Sequence, residues 1–294
     1  MGERRVGAGE RASWMPRSRA ETEALLERTV VENRFTIAVV FPVVGAVLLL
    51  ASAESLLGVL NFHPGLVLFG TLVMRLPLIA GVAPIVGRRA GVMLGLLTLY
   101  AYGIELVGVT TGLPYGSFQY LTDLGPMIAG SIPVGLPVFF FPLVLNSYLL
   151  VLLLLGDRAR STGVRLTATV LTVLLMDLVL DPGAVALGFW GYDLAGVSMT
   201  YYDVPCTNYA GWVLSGVVAV GAFDMGLDRE RLLARLETVP FMLDDLVSFV
   251  ILWGGINLYF GQLVPALLAG ILGVGLLVTD RFNFEVNIPA LGDG

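Results

Sequence analysis

Eight runs of apolar residues, each long enough to cross a bilayer as a helix, leave this chain little else to fold into. A helix needs roughly 20 residues to span the hydrocarbon core. The runs lie near residues 35–53, 64–86, 90–110, 126–155, 165–181, 209–227, 241–260 and 262–279. Orientation follows from the arginines, which supply every basic residue of the chain. With the N-terminus inside, sixteen of the seventeen arginines fall on inner or N-terminal segments and none on an outer loop. The exception, Arg75, lies within the second span. Such an excess of positive charge marks the cytoplasmic side.

The expected fold is therefore an all-α integral membrane protein, multi-pass in the cell membrane, with about eight transmembrane helices and both termini cytoplasmic. A polar N-terminal segment, 1–34, precedes one helical transmembrane domain, 35–281, and a short cytoplasmic tail, 282–294. Ser18 to Phe35 reads as an amphipathic interfacial helix with Leu25, Leu26, Val30 and Val31 on one side. The fourth run is overlong and holds Pro133, Pro137 and Pro142, so it is expected to start outside the bilayer or to kink. Gly87-x-x-x-Gly91-x-x-x-Gly95 has the spacing of a tight helix-packing stripe. No internal repeat is visible, which argues against a transporter built from duplicated halves.

Composition removes several chemistries. Apolar residues make up 56% and charged residues 14%, against roughly 25% charged in soluble domains. One cysteine, Cys206, excludes an internal disulfide, and one histidine, His63, excludes histidine-rich metal sites. There is no G-x-x-x-x-G-K-S/T loop, H-E-x-x-H pair or G-x-S-x-G elbow. The adjacent Asp244-Asp245 lacks the further aspartates that a magnesium-diphosphate site needs. Nothing suggests nucleic acid as a partner. The absence of lysine and a pI near 4.8 fit an acid-shifted halophile proteome, or simply a GC-rich genome.

What remains is polar groups at one depth. Glu105 lies in the outer half of the third run, Asp177 in the outer half of the fifth, and Asp181 where that run is expected to leave the membrane at Pro182. Asn208 opens the sixth run, with Trp212 one turn deeper. Asp177 and Asp181, at i and i+4, share a helix face. Ionisable groups within spans are costly and mark sites by default. Two long outer loops, roughly 111–125 and 182–208, add Tyr115, Phe118, Tyr120, Trp190, Tyr192, Tyr201 and Tyr202. Each residue also has a structural reading. Glu105 or Asp177 would neutralise Arg75, Asp181 would end a helix, Asn208 would bond loop backbone, and the aromatics would form an interfacial belt. Asp224, Asp244 and Asp245 fall on the inner side and read as helix-end or interface residues, and His63 and Cys206 as unreactive.

Glu105-x-x-Gly108-x-x-Thr111-Gly112-x-Pro114-Tyr115-Gly116-x-Phe118-x-Tyr120, with Leu124-Gly125-Pro126, resembles the CruF-type carotenoid hydratases. So do Asp177-x-x-x-Asp181-Pro182, Gly188-x-Trp190 and Val204-Pro205-x-x-Asn208-Tyr209-x-Gly211-Trp212. Within that family the lysine-free, acidic composition points to the haloarchaeal branch, and Tyr192 stands where a second tryptophan is expected. The resemblance covers about residues 90 to 225. It implies addition of water to the terminal trisubstituted double bonds of a fifty-carbon carotenoid lying among membrane lipids.

The residues suit that chemistry. Protonating an isolated alkene yields a tertiary carbocation, and a carboxyl group in a dry pocket retains the proton to donate. Aromatic faces stabilise the cation, and a second polar group positions water. No metal or redox cofactor is required. The expected proton donor is Asp177 or Glu105, with Asp181 and Asn208 binding water. Tyr115, Tyr120, Trp190, Tyr192, Tyr202 and Trp212 are expected to bind substrate. Two alternatives stand beside this reading: another carotenoid-modifying enzyme, an isomerase or cyclase, and a non-enzymatic carotenoid-binding or transport protein.

Overall fold

A segment in lipid must satisfy its own backbone polar groups, and a helix does so without a partner. The computed structural model describes residues 18–281; the stretch before Ser18 and the expected tail, 282–294, lie outside the described residues. Seven helices among the described residues are long and apolar enough to cross a membrane: Thr36–Ala53, Pro64–Ile85, Arg88–Thr111, Leu136–Arg160, Thr162–Leu187, Cys206–Gly226 and Pro240–Tyr259. An eighth apolar helix, Leu263–Val278, has 16 residues. The all-helical, multi-pass architecture stands. In α-helical bounds the order is α1 (Arg19–Glu32), α2 (Phe41–Ala53), α3 (Pro64–Val82), α4 (Arg88–Thr111), α5 (Leu136–Leu155), α6 (Thr162–Leu187), α7 (Cys206–Gly226), α8 (Arg229–Thr238), α9 (Asp244–Tyr259) and α10 (Leu263–Val278).

α6 lies in the middle of the bundle, packed against α5, α7, α9 and α10, while α4 leans chiefly on α7. Close packing depends on glycines that admit a neighbouring side chain: a Cβ on Gly226 would meet Met93, and one on Gly216 would meet Val170. The stripe expected to do this, Gly87, Gly91 and Gly95, does not. All three face open space, because the groove-side and outward faces of α4 have no helix against them.

Three further expectations change. The fifth run does not end at Pro182: α6 continues through the proline to Leu187. A mid-helix proline leaves carbonyls without their donors, and the Asn257 amide of α9 donates to Val179 O at 2.8 Å while Gln262 donates to Pro182 O at 3.3 Å. Asp181 is thus an interior helix residue, not a helix end. The inner connector after α7 contains a helix, α8, capped by Asp228, whose side chain accepts from the Glu230 and Arg231 amides. Leu232 and Leu236 form its buried stripe. α1 forms as expected, but only Val30 and Leu26 of its apolar side pack inward; Leu25 and Val31 are exposed.

The fourth run starts where its prolines suggested. Residues 127–133 form a small hairpin, β2 (Met127–Ile128) with β3 (Ile132–Pro133), before α5 begins at Leu136. Inner-side carboxylates are tied to arginines. Arg34 grips Asp244 at 2.6 and 2.8 Å, Arg165 and Tyr148 hold Asp224, and Arg75 pairs with Asp245, which also accepts from Asn146 at 2.7 Å.

Candidate active site

Two helix ends launch the strands that cover the site. α4 ends at Gly112 and α6 at Gly188, both in the left-handed region (φ +74° and +80°) that glycine enters without a Cβ penalty. The chain then turns back over the bundle from each end. β1 (Phe118–Tyr120) and β4 (Trp190–Tyr192) pair antiparallel, with Phe118 opposite Tyr192 and Tyr120 opposite Trp190. Alternate residues of a strand share a face, so these four aromatics all point the same way, away from exposed Gln119. The ladder is extended by Leu121 N–H to Phe189 O at 3.0 Å and Asp193 N–H to Ser117 O at 2.8 Å. Together the two outer loops make one aromatic roof.

Under the roof lies a cavity of about 140 Å³. Its walls come from α3, α4, α5, α6, α7 and α9, and its polar groups are few: Glu105, Asp181, Asn208 and the tyrosines 115, 120 and 192. The rest is apolar, including Phe139, Phe140, Trp190, Trp212 and Trp253. Phe140 and Trp212 stack at 5.8 Å, and Tyr115 tilts against Trp212 at 6.2 Å.

Hydrogen bonds fix the carboxylates. The Asn208 amide, on the first turn of α7, donates to Asp181 Oδ2 at 2.5 Å and to Asp177 Oδ2 at 3.0 Å. Tyr192 OH donates to the same Asp181 oxygen at 3.2 Å, and Tyr120 OH donates to Glu105 Oε1. Burial, reinforced by the neighbouring carboxylates, pushes the Tyr120 and Tyr192 phenols well above their ordinary range, so both remain donors. Among the described residues none of Glu105, Asp177 and Asp181 is ion-paired. Arg75, the cation available to neutralise Glu105 or Asp177, is spent on Asp245 instead.

Of the expected site residues, Glu105, Asp181, Asn208, Tyr115, Tyr120, Trp190, Tyr192 and Trp212 line the cavity. Asp177 and Tyr202 do not. Asp177 is fully buried one turn below Asp181, beneath the Asn208 amide that joins them; the i,i+4 spacing aligns the pair but leaves only the outer member exposed to the chamber. Tyr202 and Asp203, with φ of 48° and 62°, form the two-residue turn between β5 (Thr200–Tyr201) and β6 (Val204–Pro205). Positive φ at both positions is the hairpin-turn geometry, and it carries Tyr202 to the tip, against Tyr201, away from the site.

Sequence reasoning missed Ser215, fully buried on α7 and in hydrogen-bond contact with Tyr115 OH at 2.6 Å and Tyr100 OH at 3.1 Å. Two turns below Asn208 on the same helix, it gave no signal beyond spacing. The approach of Tyr115 to α7 depends on Gly211, where a Cβ would overlap the tyrosine ring. Trp253, Phe139 and Phe140 also line the chamber. No group of three or more metal-ligating side chains exists among the described residues.

The chain is 64% identical over 283 residues, 96% of its own length and 95% of the relative's, to the bisanhydrobacterioruberin hydratase of Haloarcula japonica. No solved structure matches it. The family model for carotenoid biosynthesis proteins matches residues 62–276, taking in every helix from α4 to α9 and the whole cavity beneath the β1–β4 roof: the chain belongs to the carotenoid biosynthesis protein family.

Proposed function

We propose that the protein is a carotenoid hydratase that works inside the bilayer. It adds water to the terminal trisubstituted double bonds of a fifty-carbon carotenoid, converting bisanhydrobacterioruberin to bacterioruberin. The observation that carries this reading is that Glu105 and Asp181, from different helices and without a cation, face one small apolar chamber walled by aromatics. The high identity to a named hydratase supports the same conclusion.

The chemistry follows from the placement. Two carboxyl groups that share one amide donor and no cation do not both ionise cheaply, so the Asp177–Asp181 pair stores a proton. Asp181, the member at the chamber wall, delivers it to the less substituted alkene carbon. The tertiary cation left on the other carbon lies among the π faces of Trp190, Trp212 and Phe140. Glu105, held by Tyr120, orients a water whose oxygen attacks the cation; the carboxylate takes the water's proton and Asp181 recovers it before the next turnover. One water is consumed, one C–O and one C–H bond form, and nothing is oxidised or reduced.

The arrangement of arginines supports an orientation with both termini cytoplasmic and the aromatic roof at the outer face. Expression in a host that makes the unhydrated carotenoid, in water enriched in heavy oxygen, tests the function. A hydratase gives product alcohols carrying the label. An isomerase or cyclase gives new pigment without label, and a binding protein returns the pigment unchanged.

A further inference from the structure

The chamber is far too small for its substrate. A cavity near 150 Å³ holds a molecule of about benzene size, so 140 Å³ takes one isoprenoid end. Most of a fifty-carbon chain must lie elsewhere. A second cavity, of about 580 Å³, lies between α3, α4 and α5. On α4 it is lined by Leu94, Gly95 and Thr98, one turn below the Ala101 and Glu105 of the outer chamber. On α3 it runs from Leu72 to Val82, below Val67 of the outer chamber, and on α5 it takes Val138, Phe141 and Leu145, on the helix face opposite Phe139 and Phe140. Its walls are mostly apolar; the charged exceptions are Arg75, which is paired with Asp245, and Arg19 and Glu23, which pair at 2.6 Å.

We propose that this groove between α3, α4 and α5 is the binding site for the polyene shaft of the carotenoid whose end lies in the outer chamber. From Glu105 to the start of α4 at Arg88 is about 26 Å at 1.5 Å per residue, close to the thickness of the hydrocarbon core, about 30 Å. Along α4 the linings of groove and chamber follow one another on one helix face, an extended arrangement that suits a rigid linear molecule better than a compact one. On α4 the groove is kept open at Gly95. Gly95 has nothing within 4 Å of where its Cβ would stand, so a large side chain there fills the groove without displacing the backbone.

The inference rests on the hydratase reading, and its test separates the two. Wild type, Gly95→Trp and Gly103→Trp are purified in mild detergent from a carotenoid-producing host, and both retained pigment and conversion are measured. Gly103 is exposed on α4, lines neither cavity and has open space around it, so its variant controls for a bulky residue on that helix. Gly95→Trp is expected to lose at least ten-fold in retained carotenoid and in conversion of the fifty-carbon substrate, with wild-type melting behaviour, while Gly103→Trp matches wild type. Equal pigment retention and conversion by Gly95→Trp overturn the inference, whether the groove then holds a lipid acyl chain or a second copy of this chain. If wild type retains pigment that Gly95→Trp loses, yet converts none, the groove stands and the hydratase reading fails.

Discussion

Arg75 is paired with Asp245, and that pairing keeps its charge from the carboxyl groups of the chamber. Both groups are buried, on α3 and α9, and Asn146 completes the carboxylate's bonding. With Arg75 held here, the carboxyl groups of the chamber bond only amide and phenol donors. Removing one partner of a buried pair strands the other charge, at a cost of about 3–5 kcal/mol. Asp245→Leu is therefore expected to lower the melting temperature of the purified protein sharply. Arg75→Met combined with Asp245→Leu should recover most of the loss. A double variant as unstable as the single one would contradict this account.

Asp181→Asn keeps the shape of the proton donor and removes its acidity. General acid catalysis contributes roughly 10²–10⁴ in rate, so turnover should fall by at least a hundred-fold while pigment still binds. Asp177→Asn, one turn below and outside the chamber, should cost less, about ten-fold. Single-turnover conversion followed by chromatography ranks the two, and the reverse order would move the donor to Asp177.

Tyr120→Phe and Tyr192→Phe each remove one hydrogen bond to a carboxylate. Such bonds are worth about 1.5–3 kcal/mol, which corresponds to roughly ten- to hundred-fold in turnover with little change in KM. Both phenols are held above their ordinary range by burial and the adjacent carboxylates, so the protonated, donating form persists as pH rises. The ratio of wild-type to variant rate should stay level up to about pH 10, the ordinary phenol value. A ratio that collapses below that pH would show the phenols ionising and the bonds already lost.

Gly211→Ala places a methyl group into the Tyr115 ring. Overpacking of this kind costs about 1–3 kcal/mol and should loosen the chamber wall that Tyr115 and Trp212 form. A thermal melt that drops for Gly211→Ala and partly recovers when Tyr115→Leu is added is the expected result.

Much of this was legible in the sequence because lipid leaves few options. Spans had to be helices, and carboxylates at one depth had to find company, which is why Glu105, Asp181 and Asn208 converge as expected. The errors share a cause: local signals stood in for long-range packing. Pro182 reads as a stop, yet Asn257 and Gln262 from 75 or more residues away supply donors to its turn. Gly87, Gly91 and Gly95 have a packing motif's spacing, yet no helix comes to meet them. Whether Asp177 or Asp181 faces the chamber depends on where Asn208 reaches across from α7. The partner of Arg75 lay 170 positions along the chain, beyond any pattern of spacing.

The pairing of β1 with β4 has a consequence for how the enzyme meets its substrate. Because the two loops are stitched into one sheet above the chamber, a long hydrocarbon is expected to slide in laterally between helices and to depart the same way. Affinity is then governed by how crowded the pigment is among the lipids, not by its amount per volume of suspension. Diluting the carotenoid with extra phospholipid at fixed total pigment should slow conversion, whereas diluting the vesicles with buffer should not.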